Sequence, residues 1–419
     1  MRWDGAGTLG VVSAHPPTGE TPPRDGTLPS EAFEGLGERP FGVYVHVPFC
    51  ATRCGYCDFN TYTADELDGG GGSTGGWLRA LRRELLLGAR VLGGQAAPRA
   101  GTVFVGGGTP SLLGGEGLAE VLEAVRDSFG LAPGAEVTTE ANPESTSPEL
   151  FERIRQAGYT RVSLGMQSAA EHVLRVLDRR HTPGRAVAAA GEARAAGFEH
   201  VSLDLIYGTP GESTGDLRTT LDAVLEAGVD HVSAYSLIVE EGTALARRVR
   251  KGELPEPDED VLAEDYELID GTLSEAGFRW YEVSNWAARP EGRCAHNLGY
   301  WRGGDWWGAG PGAHSHVGGV RWWNLKYPAR YAAALDEGIS PAAGREVLTC
   351  EDRRVERIML ELRLDSGLPV DVLDGTGLSE ARRAVEDGLL RRDALRAGRC
   401  VLTDRGRLLA DGVVRRLIG

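Results

Sequence analysis

Residues 41–60 read FGVYVHVPFCATRCGYCDFN. The first seven, alternating valine with aromatic and small residues and followed by Pro48, have the composition of a strand. That strand runs directly into three thiols, Cys50, Cys54 and Cys57, spaced C-x3-C-x2-C. Two positions past the third, where a fourth thiol would fit, stands Phe59. Chemistry carried just beyond the carboxyl end of a strand is the arrangement of parallel α/β barrels.

More units of the same kind follow. GTVFVG (101–106), AEVTTEA (135–141), TRVSLG (160–165), HVSLDLIYG (200–208) and DHVSAYSL (230–237) read as strands. Amphipathic stretches such as WLRALRRELLLGARVL (77–92) and GLAEVLEAVRDSF (117–129) lie between them. The alternation predicts an α/β fold, a parallel sheet with helices outside. Six units suit a partial (β/α)6 TIM-like barrel better than a flat doubly wound sheet. The unusual residues gather where these strands end: GGGTP after the second, Glu140 and Asn142 at the third, GMQS after the fourth, Asp204 and Tyr207 late in the fifth, Ser236 at the sixth. They are expected to converge on one mouth.

Around this barrel core (41–275) the composition changes. Residues 1–40, rich in Pro, Gly and Thr, are expected as a disordered or loosely attached arm. ELDGGGGSTGG (66–76) reads as a flexible loop beside the thiols. Residues 276–344 form an extension, and 345–419 read helix, helix, short strand, helix: a small C-terminal helical domain, winged-helix-like. The 419 residues are 41% hydrophobic, ample for a large core, and carry a net charge of −16 without a basic block, which argues against a nucleic-acid partner. No apolar run approaches 18 residues, so no membrane span is expected, although peripheral contact is compatible with the sequence. The first forty residues lack a signal peptide's apolar segment. A reducing, cytoplasmic setting is therefore expected, with the six cysteines as free thiols or metal ligands.

Three thiolates suit three irons of a cubane, leaving the fourth iron open to a small molecule. Structural zinc, the competing reading, needs four protein ligands, and His46, the nearest candidate, sits within a strand. In VFVGGGTPSLL the glycines let backbone approach a ligand and the Thr109 hydroxyl can donate; no lysine follows, so this is not a phosphate-binding P-loop. Glu140 and Asp204, acids at the ends of buried strands, need a partner: a ligand, or an internal arginine such as Arg161 or Arg179. Gln167 offers both donor and acceptor. CAHNLGYW (294–301) contains His296, a candidate haem-iron ligand, with Trp301, Trp306 and Trp307 as flat apolar area and Cys294 beside it. The bland alternative is that the His-Asn pair satisfies backbone groups and the tryptophans are core. GAGPGAHSHVGG (308–319) reads as a loop closing over the mouth, and Cys350 and Cys400 as buried thiols.

The ordered set YVHVPFCATRCGYCDFN, GGGTPSLL, EANPES, SLGMQS, LDLIYGTPGE, YEVSNWA and HNLGYW resembles the radical S-adenosylmethionine (SAM) superfamily, in the group around oxygen-independent coproporphyrinogen III oxidase. Cys57-Asp58-Phe59-Asn60 and His296-Asn297-Leu298-Gly299-Tyr300-Trp301 are similar to the haem-chaperone branch, HemW; the oxidase branch has a further cysteine at the place of Phe59. The resemblance spans 41 to about 330 firmly and the tail more loosely. It implies a [4Fe-4S] cluster on Cys50, Cys54 and Cys57. It implies SAM at Tyr44, Tyr56, Gly107, Gly108, Thr109, Glu140, Gln167, Arg179 and Asp204, with Ser236 a weaker transfer. It implies haem at His296, Asn297, Tyr300 and Trp301, passed to an unknown acceptor protein, and an electron donor such as a flavodoxin or ferredoxin. The oxidase alternative would cleave SAM to a 5′-deoxyadenosyl radical and decarboxylate coproporphyrinogen III to protoporphyrinogen IX.

Overall fold

The computed structural model describes residues 19–67, 72–179 and 181–419. Six parallel strands form its centre: β1 (Phe41–Val47), β2 (Ala100–Gly107), β3 (Leu131–Ala141), β4 (Arg161–Gln167), β5 (His200–Tyr207) and β6 (His231–Ser236). Each matches a strand expected from sequence. Intervening helices, among them Thr74–Val91, Gly114–Ser128 and Thr214–Ala227, cover one face. Along β1, Val43, Val45 and Val47 are fully buried against that layer. Because side chains alternate along a strand, Gly42, Tyr44 and His46 take the opposite, lumen-facing side.

The sheet continues past both ends of this unit. Its order is β12-β11-β10-β9-β1-β2-β3-β4-β5-β6-β8-β7. β7 (Arg279–Glu282) and β8 (Asn285–Ala287) extend it antiparallel beyond β6. β9 (Asp305–Ala309) runs parallel to β1, and β10 (His314–Val317), β11 (Val320–Asn324) and β12 (Ala342–Val347) follow antiparallel. Residues 276–344 therefore flank the barrel on two sides. GAGPGAHSHVGG is not a loop over the mouth: it is the end of β9, a tight turn and β10. The glycines that suggested a loop serve close packing, since a Cβ on Gly308 would lie 2.0 Å from the His314 carbonyl oxygen.

Residues 1–18, and 68–71 of the glycine-rich loop, lie outside the described residues. The rest of the expected loose arm is docked. Glu20 exchanges backbone hydrogen bonds with Arg345 (2.8 and 3.0 Å) and pairs with its guanidinium at 2.8 Å. Ala32 is fully buried and Leu28 6% exposed. Buried apolar side chains, backbone bonds from Arg345 and Ser340 and the Arg39–Asp305 ion pair (2.8 Å) order a segment whose composition looks polar. From Cys350 the chain builds a separate small core, with helices Cys350–Glu361, Gly375–Glu386 and Ala410–Ile418 and a two-residue strand pair, Leu368–Pro369 with Arg399–Cys400. Cys400 is buried there, but Cys350 is exposed in the first turn of its helix, against expectation.

Candidate functional site

The three thiols lie on the loop leaving β1, and other strand ends surround them. A Cβ on Gly108 would come within 2.5 Å of the Phe49 carbonyl oxygen and 3.0 Å of the Cys50 sulfur. Gly107 is held at φ +109°, where a side chain is strained. These two glycines let β2 pass against the thiol loop. Thr109 donates its hydroxyl to Cys50 Sγ at 3.7 Å, and Arg179 donates to Cys54 Sγ at 3.4 Å and to the Gly165 carbonyl at 2.9 Å. Burial pushes the Cys50 thiol up; it pushes Cys57 up to about 11, with the neighbouring thiols adding to the effect. Three half-buried thiols on one loop, each a soft donor once deprotonated, have the chemistry to hold a cation as thiolates.

The loop itself is anchored by backbone. Gly55 N–H donates to the Leu177 carbonyl at 3.1 Å, and Leu245 N–H donates to the Gly55 carbonyl at 2.8 Å. Tyr56 packs against the small apolar cluster built from Val173, Leu177, Ile206, Leu237 and Leu245, and burial raises its phenol. His46 holds the other flank. Its Nε2 donates to the Asn60 carbonyl at 2.9 Å, which leaves Nδ1 to accept from the Tyr44 hydroxyl at 3.0 Å. Burial lowers its pKa to about 4, so the ring is neutral. Both nitrogens are engaged, and His46 is a tie beneath the loop rather than a fourth metal ligand. The i,i+2 spacing of Tyr44 and His46 was the sequence signal for this tie.

Two lumen acids await positive charge. Glu140 accepts from Gly107 N–H at 3.0 Å, yet burial and the nearby Asp204 push it up to about 8. Asp204 is raised by burial although the Ser163 hydroxyl reaches both its oxygens at 2.8 and 2.9 Å. Among the described residues neither forms an ion pair, although Arg179 pulls both down from a distance; Arg161 instead pairs with Glu136 at 3.2 Å. Gln167 sits at φ +67° on a register shift between β4 and β5, a strained backbone for a non-glycine residue. Such strain is characteristic of ligand-positioning sites. Ser236 closes β6 beside Tyr207. The residues expected at the SAM position come from β1–β6 and the loops at their carboxyl ends, with Tyr44 and Asp204 in the middle of β1 and β5. Three thiols on one loop, a Cβ-free cradle and two buried acids without an ion pair among the described residues fit a cluster carrying an aminocarboxylate with a cationic centre.

The H-N-x-x-Y-W segment lies elsewhere. It forms the short helix Ala295–Trp301 inside the amino end of the barrel. Glu136 accepts from the N–H groups of Ala295 and His296, each at 3.0 Å, and Arg161 donates to the carbonyls of Gly292 and Arg293 at 2.8 and 3.0 Å. His296 is 3% exposed. Its Nδ1 meets the Thr102 hydroxyl and its Nε2 the Tyr300 hydroxyl, both at 2.8 Å, and its ring stacks on Phe104. Burial lowers its pKa to about 3. Trp307, 3% exposed, packs on Trp322 and Phe129, so it is core. Trp306 meets the edge of Tyr300, and Cys294 is buried beside Glu136. As folded here, His296 carries no free ring nitrogen.

The family model of the radical SAM superfamily matches residues 44–224. The heme chaperone HemW of Mycobacterium tuberculosis (strain ATCC 25618 / H37Rv) is 62% identical over 381 residues, covering 91% of this chain and 95% of the relative. The heme chaperone HemW of Bacillus subtilis (strain 168) is 31% identical, covering 90% and 99%. Among solved structures, coproporphyrinogen III oxidase (HemN) from Escherichia coli, a radical SAM enzyme, superposes with a TM-score of 0.77 over 92% of each chain. At 23% identity this is a likeness of fold. With a thiol loop, glycine cradle and lumen acids on an α/β barrel, and with such identity along nearly the whole length of its relatives, the chain belongs to the HemW family of radical SAM proteins.

Proposed function

We propose that this protein is a haem chaperone built on the radical SAM scaffold. It would hold a [4Fe-4S] cluster on Cys50, Cys54 and Cys57, bind SAM and haem, and pass haem to an acceptor protein. The observation that carries this is the three-thiol loop with Phe59, 60% exposed, where a fourth thiol would stand, in a chain 62% identical to a protein named heme chaperone.

When bound, the cluster supplies an open iron for the aminocarboxylate of SAM and a source of single electrons. Around it Gly107 and Gly108 keep the wall free of side chains, and Thr109 is a hydroxyl donor. Glu140 and Asp204 are matched to an ammonium or to ribose hydroxyls, and ionise more readily beside a cation. Arg179 offsets thiolate charge at Cys54, and Gln167, Tyr44, Tyr56 and Ser236 complete the wall. Haem contact by His296, Asn297, Tyr300 and Trp301 requires their helix to leave the barrel floor, because Tyr300 and Thr102 occupy both His296 nitrogens. The reading includes an electron donor such as a flavodoxin or ferredoxin, and a cytoplasmic setting.

Anaerobically reconstituted protein titrated with haem, as wild type and His296→Ala, with and without the cluster, tests this. Saturable haem binding without porphyrin turnover is expected. Stoichiometric protoporphyrinogen from coproporphyrinogen III in the presence of SAM and reductant would replace the chaperone reading with the oxidase one.

A further inference from the structure

A carboxylate in the helix layer outside the sheet has no part in the reading above. Glu84, on the helix Thr74–Val91, is fully buried. Three donors converge on it: Gly310 N–H at 2.7 Å, Asn324 Nδ2 at 2.6 Å and the Tyr331 hydroxyl at 2.5 Å. Asn324 also donates to the Gly310 carbonyl at 2.9 Å, so the acid and the amide together grip both polar groups of one residue in the turn between β9 and β10. Burial pushes Glu84 up to about 7 against the pull of these donors. An acid kept at such a site is costly unless its bonds serve the fold or the function.

What that turn touches is the thiol loop. At Gly310, φ +111°, a Cβ would lie 2.5 Å from the His46 carbonyl oxygen; at Gly312, φ +74°, it would lie 2.7 Å from Asn60 Nδ2. Asn60 follows the third thiol by three residues. Its Nδ2 donates to the carbonyls of Pro311 (3.0 Å) and Lys326 (2.8 Å), and its Oδ1 accepts from the Tyr62 hydroxyl (3.1 Å). Its carbonyl takes the bond from His46 described above. Tyr62 in turn closes the loop: Cys50 N–H donates to its carbonyl at 3.0 Å, and its N–H donates to the Pro48 carbonyl at 2.7 Å.

We propose that Glu84 and Asn60 are positioning residues for the cluster-binding loop: Glu84 fixes the Gly310–Ala313 turn, and Asn60 fastens the loop's exit to it. The proposal rests on the reading of the three thiols as a cluster site. It gives GAGPG, which the expected lid does not explain, the role of a rigid shelf under that loop, and it gives the asparagine of C-D-F-N a task of its own.

The test uses the full chain as wild type, Asn60→Asp and Glu84→Gln. Asn60→Asp keeps the acceptor for Tyr62 and removes both donated bonds. Glu84→Gln keeps the shape but turns an N–H2 toward donors. Hydrogen exchange is read at the amides of Cys50 and Tyr62, with β4 and β5 as internal reference; reconstituted samples add iron content and the electron paramagnetic resonance signature of the reduced cluster. The expected result is exchange at Cys50 and Tyr62 about tenfold faster in both variants, unchanged reference amides, and an altered signature. Wild-type exchange and an unaltered signature in Asn60→Asp would overturn the proposal. Should Glu84→Gln speed the reference amides too, it has lost its fold and Asn60→Asp decides alone. Wild type that takes up no iron sinks the cluster reading instead, while the exchange rates still decide whether the shelf holds the loop.

Discussion

The two ends of the barrel are built on opposite principles. At the amino end the floor is held by protein partners: Glu136 with Arg161 and two helix N–H groups, His296 with Thr102 and Tyr300, His231 with Ser202 (2.7 Å) and Tyr281 (2.8 Å). At the carboxyl end burial raises the Cys50 and Cys57 thiols, Glu140 and Asp204 are raised, and Gln167 is strained. Both regions are polar and lie within one lumen. Polarity alone therefore does not mark a ligand site; raised acids gathered with thiols and a strained residue at one end of the strands are a stronger signal.

That contrast breaks most sharply at Arg161, whose side chain is 2% exposed. Arg161→Ala leaves Glu136, 12% exposed, without its cation and empties a buried site, and is expected to cost about 2–4 kcal/mol in denaturant unfolding. A loss below about 1 kcal/mol would mean that the floor is not internally neutralised. His296→Ala removes two hydrogen bonds and a stacked ring, with an expected loss of about 2–4 kcal/mol in the metal-free protein. Unchanged stability together with abolished haem binding would make His296 a ligand and not a floor residue.

The mouth gives smaller effects on stability. Glu140 is pushed from 4.5 to about 8. Its contribution is fully present below the unfolded pKa and is lost as pH rises through the folded one. The stability of wild type relative to Glu140→Gln should accordingly fall by about 1–3 kcal/mol from acid to alkaline pH, and a flat difference would show the carboxyl already neutralised. Least of all, Cys57→Ser is expected to shift metal-free stability by less than about 1 kcal/mol while iron loading collapses. A large loss of stability there would erase the distinction between the two ends.

Legibility in sequence followed the same division. β1–β6 were readable because strands covered on both faces become valine-rich runs, and the mouth was readable because its chemistry sits at their ends. The floor was not. His296, Tyr300 and Trp301 look alike whether they meet a ligand or one another, and only three-dimensional partners such as Thr102, 194 positions away, separate the cases. β9 and β10 were missed because glycines required by close backbone approach resemble a loop. Glu84 was hidden within an amphipathic helix whose acid faces inward, and docking of residues 19–40 depends on Arg345, which no local pattern announces.

The sockets of Gly55 and Asn60 have a consequence for the timing of synthesis. The cysteines leave the ribosome early, but the groups that hold their loop, Leu177, Leu245, Pro311 and Lys326, arrive over most of the remaining translation. Until residues 305–309 emerge, β1 also lacks its neighbour on that side and stands as an open edge. A nascent chain stopped before Lys326 would carry all three thiols on a loop missing its last anchors, so the loop takes its final shape only after Lys326 has emerged.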